Sequence, residues 1–259
     1  MKIIFWNTHS AKDISIIEEI LITENPDILF LAEFDRSIIE NDPEFLSNIG
    51  YELALNPGCD RITTISNTQI KIQPSLQSSH FSVFKCNDPE LHIIAIHLPS
   101  QMWRHMDALK EYIRDFRIEI DTEIGDSIDE KILIIGDFNV NPYEKPMVDF
   151  DGFLASNAIL GRKKIKRNKT RSTYFNPTWR LYSTKNFPGT KYFERPSGSS
   201  YDILEFHYLD QVVLSRALAE EIQNDEIYVL ERTNNKELLI SESNKLCTGI
   251  DHLPLVYKF

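Results

Sequence analysis

Five short apolar runs along the chain border on polar residues of the kinds that bind hard cations or transfer protons. The bordering residues are Asn7, Glu33, His97, Asp137 with Asn139, and Asp251 with His252. Apolar runs of roughly four to eight residues are typical of buried strands. Ligands of open α/β sheets bind beyond the carboxyl ends of such strands. The pattern therefore predicts an α/β fold with one polar site at a sheet edge.

The start of the chain predicts a strand, helix, strand unit. Residues 2–6 form an apolar strand, and residues 27–32 form a second one after Pro26. Between them, Ser10 followed by Asp13 predicts the start of a helix. The side chains of Asn7 and Glu33 are then expected just beyond the ends of two neighbouring strands.

The remaining elements are expected from periodicity alone. Short strands are predicted at 61–66, 71–74, 80–85 and 91–96, a long helix at 101–120, and apolar strands at 131–135, 209–214 and 253–259. The segment 161–208 shows little periodicity and is predicted to form long surface loops, which are uncommon unless they are functional. A chain of 259 residues with 42% hydrophobic content can bury a sizeable core. Because no linker or repeat is evident, residues 1–259 are expected to form a single domain.

The charge distribution constrains possible partners. A formal net charge of −11 excludes a uniformly basic nucleic-acid-binding protein. Seven of the ten residues 162–171 are nevertheless basic, and none is acidic. This segment is predicted to contact a polyanion, with a solvated surface as the alternative. The candidate substrate-binding residues are Lys163, Lys164, Arg167 and Arg171, together with Trp179 for base stacking and Arg61 and Arg180 for phosphate.

No apolar run approaches the ~20 residues that a membrane-spanning helix needs, and the first residues do not resemble a cleavable signal. We therefore expect no membrane association and a cytoplasmic location.

Two segments carry the most chemical information. Gly136 allows a sharp turn after a buried strand, and Asp137 and Asn139, two positions apart, are expected to point the same way. In the tail, Asp251 and His252 are adjacent, and an acid at Asp210 can hold His252 protonated.

The oxygen ligands that Mg²⁺ prefers are present among the strand-end residues. Carboxylates of Glu33 and Asp251, with the amide of Asn7, suit Mg²⁺ or Mn²⁺ better than they suit zinc. The sequence therefore predicts a site that binds a hard divalent cation.

Six motifs in order resemble the endonuclease/exonuclease/phosphatase superfamily, which includes DNase I-like nucleases, abasic-site endonucleases, sphingomyelinases and inositol-phosphate phosphatases. The motifs are Phe5-Trp6-Asn7, Leu31-Ala32-Glu33, the segment 95–99, the segment 136–139, the segment 209–214 and the segment 251–254. The resemblance implies a four-layer α/β/β/α sandwich of two mixed β-sheets flanked by helices.

The resemblance also implies a role for each matching residue. Glu33 would bind the metal with help from Asn7 and Asp251. Asp137 would orient or deprotonate the attacking water, while Asn139 would fix its geometry.

The histidines are assigned in the same way. His252, supported by Asp210, would stabilise the phosphoryl transition state, and His97 would act as general acid for the leaving oxygen. Most members have Ser where this chain has Ile250, which changes hydrogen bonding to the phosphate but leaves both catalytic side chains in place.

These features predict a metal-dependent phosphodiesterase, preferentially an endonuclease acting on DNA or RNA. One alternative is a phosphatase or phosphodiesterase of a small phosphorylated metabolite, nucleotide or lipid headgroup. Neither exposed aromatic hairpins nor a secretion signal is evident, which disfavours lipid substrates at membranes. A second alternative is a catalytically silent binding module of the same fold.

Overall fold

The computed structural model describes residues 1–10, 13–100, 106–161, 163–165, 169–183, 189–193, 206–240, 245–247 and 249–259. Its α-helices are α1 (Ile14–Glu24), α2 (Ser37–Glu40), α3 (Pro43–Asn48), α4 (Met106–Glu123), α5 (Lys145–Val148) and α6 (Arg216–Glu221), with a 3-10 helix at Pro177–Ser183. Its strands are β1 (Lys2–Asn7), β2 (Ile28–Ala32), β3 (Tyr51–Leu53), β4 (Ile62–Asn67), β5 (Ile72–Ser78), β6 (Phe81–Asn87), β7 (Glu90–His97), β8 (Ile132–Asp137), β9 (Ala155–Ser156), β10 (Lys163–Ile165), β11 (Lys169–Arg171), β12 (Tyr174–Phe175), β13 (Lys191–Tyr192), β14 (Phe206–His207), β15 (Asp210–Leu214), β16 (Glu226–Val229), β17 (Leu239–Ile240), β18 (Lys245–Leu246) and β19 (Leu255–Lys258).

Two large mixed sheets form the framework. The first has the strand order β16-β19-β1-β2-β4-β3, and the second has the order β5-β6-β7-β8-β15-β12-β9. In the first sheet β1 and β2 are parallel, while β1 pairs antiparallel with β19. In the second sheet β7 and β8 are parallel, while β8 pairs antiparallel with β15. Strands from both ends of the chain thus meet in the middle of the first sheet.

Alternation of side chains along each strand separates the molecule into layers. In β1, Ile3 and Phe5 pack in a core between the two sheets, where they meet residues such as Leu133 of β8. Ile4 of β1 instead packs with Ile17 of α1 on the outer face of the first sheet.

The outer face of the second sheet is covered in the same way. Leu109, Ile113, Phe116 and Ile120 of α4 pack against Ile94 and Ile134 of the sheet. Helix, sheet, sheet and helix therefore form four layers, which confirms the predicted sandwich.

The predicted elements agree with the structure where periodicity is strong. Each predicted strand is present with ends shifted by a few residues, and the predicted helix at 101–120 is α4, whose described part begins at Met106. The predicted helix start was wrong, because Asp13 rather than Ser10 caps α1 by accepting a hydrogen bond from the Ser15 amide. Ser10 has a φ of 61° and its amide donates to the Glu33 carbonyl.

The segment 161–208 also differs from the prediction of long loops. Its described part contains short strands of two or three residues and the 3-10 helix. Such strands are too short to produce a periodic signal.

The helices of the described residues include none that is long and apolar enough to cross a membrane.

Gly136 occupies a position that excludes a side chain. Its φ is +153°, and a Cβ built on it would lie 1.9 Å from the Ile96 carbonyl oxygen of the neighbouring strand β7. The absence of a side chain lets β7 and β8 approach each other directly below Asp137.

We expect Gly136→Ala to destabilise the protein by about 3 kcal/mol or more, because the methyl group would force the central strands apart. Gly50→Ala is the matched control, since Gly50 also has a positive φ, +82°, but a Cβ added there would meet no atom within 4 Å. That control should cost about 1 kcal/mol. Urea unfolding followed by tryptophan fluorescence measures both values, and equal losses would contradict the steric argument.

Candidate active site

The polar cluster continues the inward-facing rows of the core between the sheets. Its members on strands are Asn7, His97, Asp137 and Asp210, each two positions along its strand from a residue of that inner core. Because strand residues two apart share a face, all four side chains point into the space between the sheets. All four residues are buried. The predicted sheet-edge site is thus the polar end of the hydrophobic core.

The segment after β8 folds back on Asp137. The Asn139 backbone amide donates to Asp137 Oδ1 at 2.8 Å, and Asn139 Nδ2 donates to the Leu98 carbonyl at 2.7 Å. Asn139 has a φ of +53°, a conformation that asparagine tolerates better than most residues. These bonds fix one oxygen of Asp137, so its other oxygen, Oδ2, faces the cluster.

Asn7 links the two sheets. Its Nδ2 donates to Asp137 Oδ2 at 3.2 Å and to Glu33 Oε1 at 3.3 Å. Its amide oxygen accepts a bond from the His9 backbone amide at 3.1 Å. Asn7 therefore holds two carboxylates in place as a donor.

Glu33 lies at the open side of the cluster, with 38% of its side chain exposed. Its φ is +53°, which is uncommon for this residue type and typical of functional positions. His97 Nε2 lies 3.4 Å from Glu33 Oε1. Hydrogen bonding to His97 and to Asn7 outweighs burial and lowers the pKa of Glu33 to about 2. Glu33 is therefore an anion at neutral pH.

His252 lies between two buried aspartates. Its Nδ1 is 2.7 Å from Asp210 Oδ2, and its Nε2 is 4.0 Å from Asp137 Oδ2. The Trp6 indole donates to the His252 carbonyl at 3.0 Å and fixes the backbone of this residue.

The electrostatics of this group favour a proton on His252. Burial alone would lower the pKa of His252, but Asp210 and then Asp137 outweigh it and raise that pKa. Burial, followed by repulsion from Asp210, also raises the pKa of Asp137. The arrangement suits an imidazolium cation beside a carboxylate that can take up a proton.

Asp251 faces the same open side as Glu33, where a lysine and a histidine that the sequence did not single out as site residues approach it. Lys191 Nζ forms an ion pair with Asp251 Oδ2. His9 Nδ1 lies 3.3 Å from the same oxygen and 3.9 Å from Glu33 Oε2. His9 was noticeable from its position two residues after Asn7, whereas Lys191 lies in a segment without periodicity.

The open side fits a hard divalent cation. Glu33 and Asp251 both approach His9 Nδ1, and Asp251 Oδ1 is buried without a hydrogen-bond partner. Carboxylate oxygens are the donors that Mg²⁺ prefers, so Glu33 and Asp251 could hold such an ion.

A second group of possible ligands lies deeper. One ligand atom each from Asp137, Asp210 and His252 lies within 4.8 Å of the others. Asp210 contacts Nδ1 of His252 and leaves Nε2 available, so this group could hold a metal as well as transfer protons.

The structure separates the predicted substrate-binding residues. Arg61 is exposed and directly precedes β4. The first residue of β4, Ile62, pairs with the last residue of β2, Ala32. Arg61 therefore lies at the same end of the sheet as Glu33, which follows β2. Arg171 instead donates to the Phe150 and Gly152 carbonyls. Ser127, which precedes β8, donates to the carbonyl of Thr173. The base of the β10–β11 hairpin therefore lies at the end of β8 opposite Asp137.

Two further candidates contact other parts of the molecule, and the side chains of the remaining three lie outside the described residues. Arg180 pairs with Asp225 at 2.8 Å beside Lys2, at the start of β1. Trp179 is half-buried, with ring centroids 6.4 Å from Tyr143 and 5.8 Å from Tyr182. Lys163 and Lys164 lie in β10, whose side chains are outside the described residues, as is Arg167. The sequence could not show that Arg171 and Arg180 contact other parts of the molecule, because a run of charged residues does not indicate how its strands pair.

Solved structures with the same architecture include enzymes that act on nucleic acid and on a sugar phosphate. An AP endonuclease from Archaeoglobus fulgidus matches with a TM-score of 0.62 at 17% identity, covering 100% of this chain and 99% of that one. D. rerio TDP2 in complex with a single-strand DNA product matches with a TM-score of 0.60 at 13% identity, covering 100% and 99%. The chain has the DNase I-like fold. A mannosyl-6-phosphatase from Bacteroides thetaiotaomicron shares this fold, with a TM-score of 0.55 at 14% identity and coverage of 100% and 98%.

No family model and no curated protein matches the sequence. The solved structures therefore confirm the fold that the motif resemblance implied. Ile250, which precedes Asp251, packs against the outer core of the first sheet.

We expect the raised pKa of His252 to produce a pH-dependent stability. A folded-state pKa above the unfolded value contributes stability that is present below the ordinary histidine value of 6.5 and is lost as pH rises through the folded pKa. In EDTA, the free energy of unfolding of wild type relative to His252→Gln should fall as pH rises above 6.5. Urea titrations at successive pH values measure this difference.

His92→Gln is the matched control for that titration. Burial lowers the pKa of His92, so its contribution is lost as pH falls below 6.5, the opposite direction. A wild-type advantage over His252→Gln that is constant with pH would contradict the proposed charge state.

Proposed function

We propose that this protein is a metal-dependent phosphoric ester hydrolase, and specifically an endonuclease that cleaves nucleic-acid phosphodiester bonds with water. The observation that carries the proposal is the single cluster in which Asn7 bridges Glu33 and Asp137 while His252 lies between Asp137 and Asp210. Within a few ångströms, this cluster combines carboxylates that can bind a metal cation, a carboxylate that can accept a proton, and a histidine that can carry a positive charge. These are the groups with which a metal-dependent enzyme can hydrolyse a phosphate ester.

Asp137 is the group that orients and deprotonates the attacking water. Its Oδ1 accepts the Asn139 amide, and its Oδ2 faces Asn7 and His252. Burial raises its pKa, which strengthens it as a proton acceptor. The Asn7 amide keeps this carboxylate at a constant position relative to Glu33.

His252 supplies positive charge for the phosphoryl oxygens. As an imidazolium held by Asp210, it stabilises the negative charge that develops in the transition state. Glu33 and Asp251 are the residues that we assign to hold a divalent ion, which would polarise the phosphate and neutralise its charge.

His97 is assigned differently from the sequence-based expectation. In the structure its Nε2 lies against Glu33, so we infer that it positions this carboxylate. The general-acid role implied by the superfamily stays a prediction.

Nucleic acid is the preferred substrate, supported by the fold shared with an AP endonuclease and with TDP2 in complex with DNA. A small phosphorylated metabolite is the second candidate. It is favoured by the position of the basic hairpin base away from Asp137 and by the likeness to a mannosyl-6-phosphatase.

We expect Asp137→Asn and His252→Gln each to lower kcat by roughly 10²- to 10⁴-fold, because each removes a proton-transfer or charge-stabilising group. The measurement is cleavage of single- and double-stranded DNA, of RNA and of a panel of phosphomonoesters with Mg²⁺, Mn²⁺ or EDTA. Asp151→Asn, at an exposed aspartate, is the control and should retain full activity.

Three outcomes would count against the mechanism or the substrate. Activity that survives EDTA or either active-site substitution would refute the mechanism. Cleavage confined to phosphomonoesters would transfer the proposal to the small-metabolite alternative. No turnover with any substrate would favour the catalytically silent binding module.

We expect Mg²⁺ to raise the Tm of wild type, since a ligand that binds only the folded state stabilises it by about 1.4 kcal/mol at ten times its Kd. Glu33→Gln and Asp251→Asn should each shift the Mg²⁺ concentration needed for this rise upward by tenfold or more. Glu52→Gln, at an exposed residue of β3, is the control. Thermal unfolding across a Mg²⁺ series measures the effect, and equal midpoints for all variants would contradict the assignment of the metal site.

A further inference from the structure

A short strand that the sequence analysis missed forms one wall of the open site. The amide of Tyr192 in β13 donates to the Asp251 carbonyl at 2.9 Å, and Lys191 forms a bridge with His252. On its other side β13 pairs with β14. The strand is thus held between the segment that carries Asp251 and the segment that leads to Asp210.

The residues before β13 fix it firmly. Thr190 is fully buried, and its hydroxyl accepts the Asp210 amide at 3.0 Å. Gly189 has a φ of +83°, and a Cβ there would lie 2.8 Å from the His207 carbonyl oxygen. This close approach leaves β13 little freedom to move relative to the active site.

Side chains alternate along this strand. Tyr192 packs against Phe206 with ring centroids 4.9 Å apart, and both join the outer core of the first sheet. Lys191 and Phe193 face the other way, with Lys191 Nζ 5.4 Å from the centre of the Phe193 ring. The ammonium group that contacts Asp251 therefore lies next to an aromatic ring.

The Phe193 ring is partly exposed to solvent. It is 43% exposed and meets His207 edge-on, with centroids 5.1 Å apart and an interplanar angle of 84°. Exposing a phenylalanine ring to water is unfavourable, and Phe193 directly follows β13, which hydrogen bonds hold against the segment of Asp251. An aromatic face beside a cation is the combination that binds a nucleotide, because the base stacks and the phosphate pairs with the charge.

We propose that Lys191 and Phe193 form a nucleotide-binding lip at the active site, which selects substrates with an unpaired nucleobase next to the scissile phosphate. Lys191 has three donor hydrogens, of which Asp251 accepts one, so it can also donate to a phosphate oxygen. Phe193 stacks on the base. The inference rests on the proposed function and names its substrate class more closely, since a base paired within a duplex is stacked between its neighbours.

Binding separates the two contributions without turnover. The full chain carrying Asp137→Asn is titrated by calorimetry in Mg²⁺ with 2′-deoxyadenosine 5′-monophosphate and with 2-deoxyribose 5-phosphate, which lacks the base. Stacking on one aromatic side chain corresponds to a factor of roughly 5 to 150 in affinity. We expect the nucleotide to bind more tightly than the sugar phosphate by a factor in this range.

Two substitutions in the same background assign the effect to the lip. Phe193→Ala should lower nucleotide affinity at least about fivefold and leave sugar-phosphate affinity within twofold, whereas Phe193→Trp should keep the preference. Lys191→Met should weaken both ligands by the same factor. Ile118→Ala removes a similarly exposed apolar side chain on α4 and should change neither.

The outcomes distinguish this proposal from the proposed function. A preference for the nucleotide that survives Phe193→Ala, or no binding of the nucleotide at all, would overturn the lip. Hydrolysis that depends on Mg²⁺ and Asp137 would still support the phosphoesterase. Conversely, a nucleotide preference that depends on Phe193, in a protein that hydrolyses no phosphoester, would support the lip and refute the enzyme.

Discussion

The burial of two aspartates side by side is the constraint on which the rest of the site depends. Asp137 and Asp210 pair directly across β8 and β15, and both are almost completely inaccessible to solvent. Two adjacent buried carboxylates repel each other and lose their hydration, at a cost of several kcal/mol for each unpaired ion. His252 lies between them, and because the two aspartates raise its pKa, its imidazolium form can offset this cost. The end of the chain must therefore return to the middle of the structure, which β19 achieves by pairing with β1.

The same two-residue period builds both the core and the site. Ile3 and Phe5 face the second sheet. Asn7, two residues further along β1, lies on the same face at the edge of the hydrophobic core. The active groups thus stand on strands whose positions are set by the packing of the whole interior. Sites built on such rigid elements hold their geometry closely. Gly136 contributes by letting β7 and β8 approach beneath Asp137.

The sequence located candidate site residues where they stand at strand ends, because a strand end is visible as the point where an apolar run stops. Asn7 and Asp137 could be placed in this way, whereas Asp210 was assigned from its place in a motif, and the structure brings all three into one cluster with His252. Lys191 was missed because its strand is two residues long and is held by tertiary hydrogen bonds that leave no local pattern. The basic residues 162–171 were predicted to contact the substrate because of their charge alone. The position of their hairpin depends on how the strands pair, which charge does not indicate. Ser10 matched the pattern of a helix cap, but its amide is used by the turn that supports Glu33.

The charge distribution bears on how a substrate of either class is recognised. Among the described residues, the open side of the site presents Glu33 and Asp251 with Lys191 and His9, so the cluster has little excess positive charge of its own. Long-range attraction of a polyanion requires several Lys or Arg contacts to phosphate, and the base of the basic hairpin lies at the other end of β8. If both proposals hold, binding depends on local contacts with a divalent ion, with Lys191 and with Phe193, and Arg61 lies at the same strand end as Glu33. We therefore expect the site to recognise a nucleotide and its phosphate ester more than the length of the polymer that contains them.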